Sequence, residues 1–103
     1  MLKITNDMSE VMGSEKAVAY FTAVWCQPCK QLKPIYAKAG MADEMNDYFV
    51  IDVDSIDKEF LDLYNIKSVP TIYTLDRGVI KNKITAKTAE EIIKQVNEST
   101  GVE

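Results

Sequence analysis

The chain has 103 residues with a formal net charge of −4, and 47% of its residues are hydrophobic and 27% charged. That length is typical of one domain, so we expect a single domain over residues 1–103 with one hydrophobic core. An acidic chain with scattered lysines has no general attraction for nucleic acid or anionic lipid, and no apolar run approaches the ~20 residues of a membrane-spanning helix.

The N-terminal residues predict a short strand followed by a short helix. The first strand is expected over residues 2–5. Asn6, Asp7 or Ser9 can cap the helix that follows, because short polar side chains accept hydrogen bonds from the free N–H groups of a first turn. Gly13 is expected to end that helix.

The next part of the chain predicts a strand followed by a long helix. The run Ala17–Thr22 is almost continuously apolar, which fits a strand buried on both faces of a parallel or mixed sheet. From Cys26 to about Ala42, apolar residues recur at helical spacing with lysines between them. Pro34 lies inside this helix and is expected to kink it.

The middle of the chain predicts another strand and helix, and then a hairpin. Residues 48–53 are rich in β-branched and aromatic side chains and predict a strand. Residues 57–64 predict a short helix with one apolar face. Residues 71–75 and Val79–Ile84 predict two strands joined by a tight turn at 76–78.

A capping box opens the last predicted helix. Thr88 stands three residues before Glu91, and apolar residues at helical spacing continue to Val96. The element order is therefore β-α-β-α-β-α-β-β-α. This order predicts an α/β fold, with a central mixed β-sheet flanked by helices on both faces.

The number of cysteines and histidines limits the kinds of metal site and catalytic site that this chain can form. The chain has two cysteines, Cys26 and Cys29, and no histidine. A structural zinc site needs four ligands, mostly Cys and His, so we expect no metal site within one chain. The lack of histidine also excludes Ser-His-Asp and Cys-His catalysis. The two cysteines are either small buried core residues or a redox pair.

Their spacing and position favour the redox pair. Residues three apart at a helix start share one face, with Cα atoms about 5–6 Å apart, within the range of a disulfide. Cys26 is expected at the helix N-terminus, where a thiolate is stabilised, so it is the predicted nucleophile. Cys29, one turn further, is expected to be more buried and to resolve the mixed disulfide. Pro28 suits the first turn, and Lys30 adds positive charge.

Three motifs together resemble the thioredoxin family. Residues 25–30 read Trp-Cys-Gln-Pro-Cys-Lys, Pro34 follows five residues after the second cysteine, and residues 68–71 read Ser-Val-Pro-Thr. The resemblance covers nearly the whole chain. It implies a thioredoxin fold and a thiol–disulfide oxidoreductase that reduces disulfides in protein substrates. Electrons would come from a thioredoxin-reductase-type donor, and no bound cofactor is expected, because the cysteines carry both electrons.

The resemblance also implies a substrate-binding surface around the cysteines. Pro70 is implied to be a cis proline facing the disulfide, although the residues alone leave its isomer open. Val69 and Pro70 would seat an extended substrate segment beside Cys26. Trp25 is expected to be exposed there and to contact substrate, and Gln27, Pro28 and Lys30 are the other supporting positions.

Gln27 and Tyr20 are two of the positions that depart from the family's usual pattern. Gln27 stands where thioredoxins usually have glycine, and this dipeptide influences the redox potential in the family. Tyr20 stands six residues before Cys26, where the family usually has a buried aspartate that helps to move a proton from the second cysteine. A tyrosine with a pKa of about 10 is no resting base near neutral pH. Tyr20 is therefore a core aromatic or a modulator, and we expect Cys29 to lose its proton to water or by another route.

Other functions stay open at this point. The same fold can serve as a redox-independent binding or accessory subunit, which would survive replacement of both cysteines by serine. A glutaredoxin-like donor is a further alternative, although Trp25 and Pro28 fit thioredoxin better. An oxidase or isomerase is disfavoured, because no secretory leader is recognisable and the cytosol is reducing. We therefore expect a cytoplasmic monomer.

Overall fold

Helices and strands follow one another in the predicted order. The computed structural model describes residues 2–100, so residue 1 and residues 101–103 of the expected domain lie outside the described residues. The elements are β1 (Leu2–Ile4), α1 (Met8–Gly13), β2 (Ala17–Thr22), α2 (Gln27–Ala42), β3 (Asp47–Asp52), α3 (Lys58–Leu63), β4 (Thr71–Asp76), β5 (Val79–Ile84) and α4 (Ala89–Thr100). The predicted α/β class is confirmed.

The five strands form one mixed sheet in the order β1-β3-β2-β4-β5. The pairs β1–β3 and β3–β2 are parallel, whereas β2–β4 and β4–β5 are antiparallel. Strand β2 lies at the centre, and its residues 17–21 are buried. This explains its continuous apolar sequence, because a central strand with both faces covered has no solvent-facing position.

Helices cover both faces of the sheet. Alternate side chains of a strand point to opposite faces. Val18 and Tyr20 accordingly pack in the core layer that contains residues of α2 and α4. Ala19 and Phe21 pack in the layer that contains residues of α1 and of the segment around α3. The predicted central sheet with helices on both faces is confirmed.

Three buried tyrosines form a row between the sheet and α2. The ring centroids of Tyr20 and Tyr36 are 4.7 Å apart, and those of Tyr36 and Tyr48 are 5.5 Å apart. The Tyr36 hydroxyl donates to the backbone carbonyl of Phe49 at 2.8 Å. The Tyr48 hydroxyl donates to Asp43 Oδ2 at 2.8 Å. Asp43 is the C-cap of α2, so this row holds the end of the helix against the sheet.

Close packing also brings α2 near β3. The helix continues through Pro34 to Ala42. A Cβ atom placed on Gly40 would lie 3.0 Å from the Cβ atom of Tyr48 and 3.1 Å from Leu2 Cδ1. Contacts this close are tighter than ordinary Cβ contacts and would require the neighbouring side chains to move, so glycine suits this approach of helix and sheet.

Local side-chain hydrogen bonds set the ends of several elements. Asp7, one of three candidates, caps α1 by accepting from the Ser9 N–H. Thr88 Oγ1 accepts from the Glu91 N–H at 3.2 Å, which confirms the predicted cap of α4. Among residues 2–100, no helix is long and apolar enough to cross a membrane.

The predicted end of the third strand is wrong by one residue. The strand stops at Asp52, and a short 3-10 turn occupies Val53–Ser55. The reason is local: Asp52 Oδ1 accepts from the Asp54 N–H at 2.9 Å and so turns the chain.

Candidate active site

Cys26 and Cys29 lie at the start of α2, just after the loop that follows β2. Cys26 is the N-cap of α2, and its Sγ accepts a hydrogen bond from the Cys29 N–H at 3.2 Å. The two cysteines form a disulfide, with their Cα atoms 5.3 Å apart. This separation matches the expected one. The pair can therefore open and close with little movement of the backbone.

The two sulfur atoms differ in their surroundings. Cys26 is 5% exposed and Cys29 is 1% exposed, so Cys29 is the more buried, as expected. Both lie among Ala23, Val53 and Val69. The first-turn N–H groups of α2 lie at Cys26, as the hydrogen bond from the Cys29 N–H shows, and such groups favour a thiolate over a thiol. The position at the helix start agrees with the predicted role of Cys26 as nucleophile, which stays a prediction.

The loop before β4 lies against Cys26. The Sγ atom of Cys26 is 3.6 Å from the backbone carbonyl oxygen of Val69. The peptide bond between Val69 and Pro70 is cis, as the resemblance implied. Val69 therefore lies beside Cys26 and Pro70 follows it in the same loop, and their role in seating a substrate stays a prediction.

Exposed side chains surround the disulfide. Trp25 is 65% exposed, and its Nε1–H donates to Asp54 Oδ2 at 2.8 Å. Gln27, Pro28 and Lys30 are exposed in the first turn of α2. The sequence does not single out Asp54 as a site residue, because Asp54 reaches Trp25 only through the 3-10 turn. Its hydrogen bond fixes the indole beside the cysteines while leaving most of the ring free to contact a partner.

Two cavities flank the cysteine pair. A cavity of about 260 Å³ is lined by Trp25 and Val69, the neighbours of Cys26 in sequence and in space, and by Val53 and Asp54. A larger one of about 450 Å³, which we call the Cys29 cavity, is lined by residues of β1, β2, α2 and β3 and of the adjoining loops, including Cys29, Lys33 and Asp52. Within residues 2–100, no three His, Cys, Asp or Glu side chains are grouped to hold a metal ion.

Comparison with known proteins identifies the family. The sequence profile of the family described as Thioredoxin matches residues 2–98. The chain belongs to the thioredoxin family. It is 32% identical over 105 residues to Thioredoxin H4 of Arabidopsis thaliana, a match that covers 95% of this chain and 83% of that protein. It is 30% identical over 79 residues to Thioredoxin H4-1 of Oryza sativa subsp. japonica, covering 77% of this chain but 60% of that protein.

Solved thioredoxin structures share the fold. The thioredoxin NaTrxh from Nicotiana alata superimposes with a TM-score of 0.79 at 21% identity, covering 95% of this chain and 91% of that one. The predicted thioredoxin fold is thereby confirmed. An identity this low supports the architecture alone, and it leaves the roles of individual side chains to be argued from this chain.

Tyr20 is the most consequential departure of this thioredoxin-family chain. Its ring is 0% exposed, and its hydroxyl donates to the Cys29 carbonyl oxygen at 2.8 Å. Burial raises the pKa of this hydroxyl. Tyr20 therefore keeps its proton at neutral pH, and it is a core aromatic that also holds the first turn of α2. Whether it modulates catalysis stays a prediction.

Proposed function

We propose that this protein is a thiol–disulfide oxidoreductase that reduces disulfides in other proteins and acts as an electron donor. One observation carries the proposal: Cys26 caps α2 in a disulfide with the buried Cys29, next to the exposed Trp25. A cysteine at a helix N-terminus with a more buried cysteine one turn behind it is the arrangement that dithiol exchange requires. Membership of the thioredoxin family supports the same chemistry.

The proposed reaction has two exchange steps. The Cys26 thiolate attacks one sulfur of a substrate disulfide, and the other substrate sulfur leaves as a thiolate. Cys29 then loses its proton and attacks Cys26 Sγ, which releases the second substrate thiolate and forms the Cys26–Cys29 disulfide. Two electrons pass to the substrate. A thioredoxin-reductase-type donor restores the dithiol, and no bound cofactor takes part, because the cysteines carry both electrons.

We propose that substrates bind as extended segments across the groove between Trp25 and Val69. The Val69 carbonyl lies 3.6 Å from Cys26 Sγ and can accept a backbone hydrogen bond from such a segment. The exposed indole offers a flat apolar contact. A donor of electrons works where thiols are kept reduced, so we propose a cytoplasmic role in redox homeostasis. Both cysteines of the exchange lie on one chain, which supports a monomer.

The proposal is tested by the redox equilibrium of the pair against a thiol buffer, read by alkylation and mass. A potential near about −270 mV is expected for a reductant of this family, against about −120 mV for a strong oxidant. The same protein should reduce a disulfide-bonded protein substrate in the presence of a reductase. Cys29→Ser should trap a mixed disulfide on Cys26, and Cys26→Ser should abolish the reaction.

The alternatives give different results in the same experiments. A binding or accessory subunit would keep its partner when Cys26 and Cys29 are both replaced by serine. A glutaredoxin-like donor would be reduced by glutathione faster than by a reductase. If no intramolecular disulfide forms at any potential, the proposed activity is wrong.

A further inference from the structure

The resolving step poses a problem that the exchange chemistry alone does not solve. Cys29 has to become a thiolate before it can attack Cys26. Burial of Cys29 opposes this ionisation. Tyr20 reaches the same residue, but its hydroxyl donates to the Cys29 carbonyl and the pKa of this hydroxyl is raised by burial. The thiolate therefore needs stabilisation from elsewhere.

The Cys29 cavity supplies the charges that face this thiol. Three charged side chains line it: Lys30 and Lys33 from α2 and Asp52 from β3. The lining residues from the other elements are uncharged, and among them Thr22 of β2 faces the same side of the sheet as Asp52. Two ammonium groups against one carboxylate leave the cavity with a positive balance.

Lys33 is the best placed of these cations. It follows Cys29 by four residues in α2, so the two side chains lie on one helix face and are neighbours. Lys33 is exposed, and neither Lys33 nor Lys30 has an ion-pair partner within the part of the chain that the structure describes. The charge of Lys33 is thus available to a nearby anion.

Asp52 is held in a different way. Its Oδ1 accepts from the Asp54 N–H at 2.9 Å and is part of the 3-10 turn. A carboxylate in the cavity opposes an anion on Cys29, because like charges in one cavity disfavour each other. The two residues therefore act on Cys29 with opposite sign, which makes their roles separable by experiment.

We propose that Lys33 is a positioning residue for the resolving step, which stabilises the Cys29 thiolate across the Cys29 cavity against the opposing carboxylate of Asp52. The proton of Cys29 leaves to solvent through this cavity, and no side-chain base receives it. The thiolate then attacks Cys26 Sγ, the bond to the substrate sulfur breaks, and that sulfur leaves with the electron pair. The proposal rests on the proposed dithiol exchange.

The first test measures the ionisation of Cys29 directly. In Cys26→Ser protein, Cys29 is the remaining thiol, and its alkylation rate against pH gives the pKa of the Cys29 thiol. Adding Lys33→Gln is expected to raise that pKa and to slow alkylation about 3- to 10-fold below it, as loss of one screened neighbouring charge predicts. Lys33→Arg should restore the profile. Lys38→Gln, the same change further along α2 and outside the cavity lining, is the matched control and should have no effect.

Asp52→Asn decides between this proposal and its main rival. The amide oxygen of asparagine can still accept from the Asp54 N–H, so the turn is retained. We expect this variant to lower the pKa of the Cys29 thiol and to speed its alkylation. If Asp52→Asn instead slows resolution of a mixed disulfide while Lys33→Gln does not, the carboxylate is the proton acceptor and the proposal is overturned. An unchanged profile in Lys33→Gln also overturns it.

Failure of the underlying activity is distinguishable from these outcomes. The alkylation profiles report on Cys29 whether or not the protein reduces a substrate. In protein with both cysteines, resolution is followed by rapid reaction of the dithiol with an aromatic disulfide, in which Cys26 releases the first coloured thiolate and Cys29 the second. Lys33→Gln should slow the second release and leave the first unchanged, and raised salt should shrink the difference. If neither release leads to the Cys26–Cys29 disulfide, the proposed function itself fails.

Discussion

Replacing Tyr20 by phenylalanine isolates the contribution of one buried hydroxyl to the active-site helix. The change removes the 2.8 Å hydrogen bond to the Cys29 carbonyl, while the ring keeps its contact with Tyr36 at 4.7 Å. A buried hydrogen bond contributes about 0.5–1.5 kcal/mol net. The helical carbonyl also accepts the N–H four residues on, so no acceptor is left without a partner. We expect the free energy of unfolding to fall by about 1 kcal/mol.

The assay is denaturant unfolding followed by the fluorescence of Trp25, the single tryptophan of the chain. Tyr20→Phe should lower the midpoint without changing the slope, and the melting temperature should fall by about 4–8 °C. Tyr20→Ala is the contrasting variant: it also removes the ring from a fully buried position, and deletion of a buried aromatic ring costs about 3–5 kcal/mol.

Catalysis should survive the loss of this hydroxyl. Tyr20 keeps its proton at neutral pH, because burial raises its pKa, so both steps of the exchange should proceed in Tyr20→Phe. A variant that folds but no longer resolves mixed disulfides would refute this reasoning, since the hydroxyl would then be needed to move the proton of Cys29. A variant as stable as the parent would refute the energetic argument.

Three further predictions concern other parts of the fold. Asp54→Ala should alter the emission spectrum of Trp25 and weaken binding of protein substrates by about fivefold or less, because an exposed hydrogen-bonded charge contributes about 1 kcal/mol at most. In urea unfolding, Gly40→Val should destabilise the protein by about 1–3 kcal/mol through overpacking, whereas Gly13→Ala, with no atom within 4 Å of the added Cβ, should stabilise it by about 0.5–1 kcal/mol. Burial, and then a hydrogen-bonded carboxylate, raise the pKa of Tyr48. The folded state thus keeps the Tyr48 proton to higher pH than the unfolded chain does. The contribution of Tyr48 to the free energy of unfolding should therefore be fully present below pH about 10 and be lost as the pH rises above it. Tyr48→Phe should make that alkaline loss shallower, as unfolding measured from neutral to alkaline pH will show.

The sequence predicted best where the signal is local. The spacing of Cys26 and Cys29 determines that their side chains share a helix face, and the structure places them in a disulfide. Thr88 and Glu91 form the predicted cap because both partners lie in one helical turn. The burial of residues 17–21 followed from the apolar composition of this strand, since a central strand with both faces covered tolerates such a run.

Contacts between distant residues were not predictable in the same way. Asp54 is 29 positions from Trp25 in the sequence, and it reaches Trp25 because Asp52 bends the chain into a turn. The amino-acid composition of this segment favours a continuing strand and so gives no signal of the turn. The sequence identified Tyr20 as unusual for the family. It did not predict which group accepts the hydrogen bond of the Tyr20 hydroxyl, because that depends on how α2 packs on β2. The Cys29 cavity arises from the packing of α2 over two strands, so Lys33 and Asp52 had no sequence signal that linked them.

The tyrosine row has a consequence for how the protein responds to oxidation and reduction. One hydroxyl holds the first turn of α2 at Cys29, and another holds its C-cap at Asp43. With both ends tied to the sheet, the backbone of α2 should stay in place when the disulfide opens, and the amide hydrogens in the middle of α2 should be among the slowest to exchange with solvent in both the oxidised and the reduced form. Reduction should then rearrange the side chains of Cys26 and Cys29 around a stationary backbone. The surface offered to partners should then be the same in both forms, which differ by two electrons and two protons.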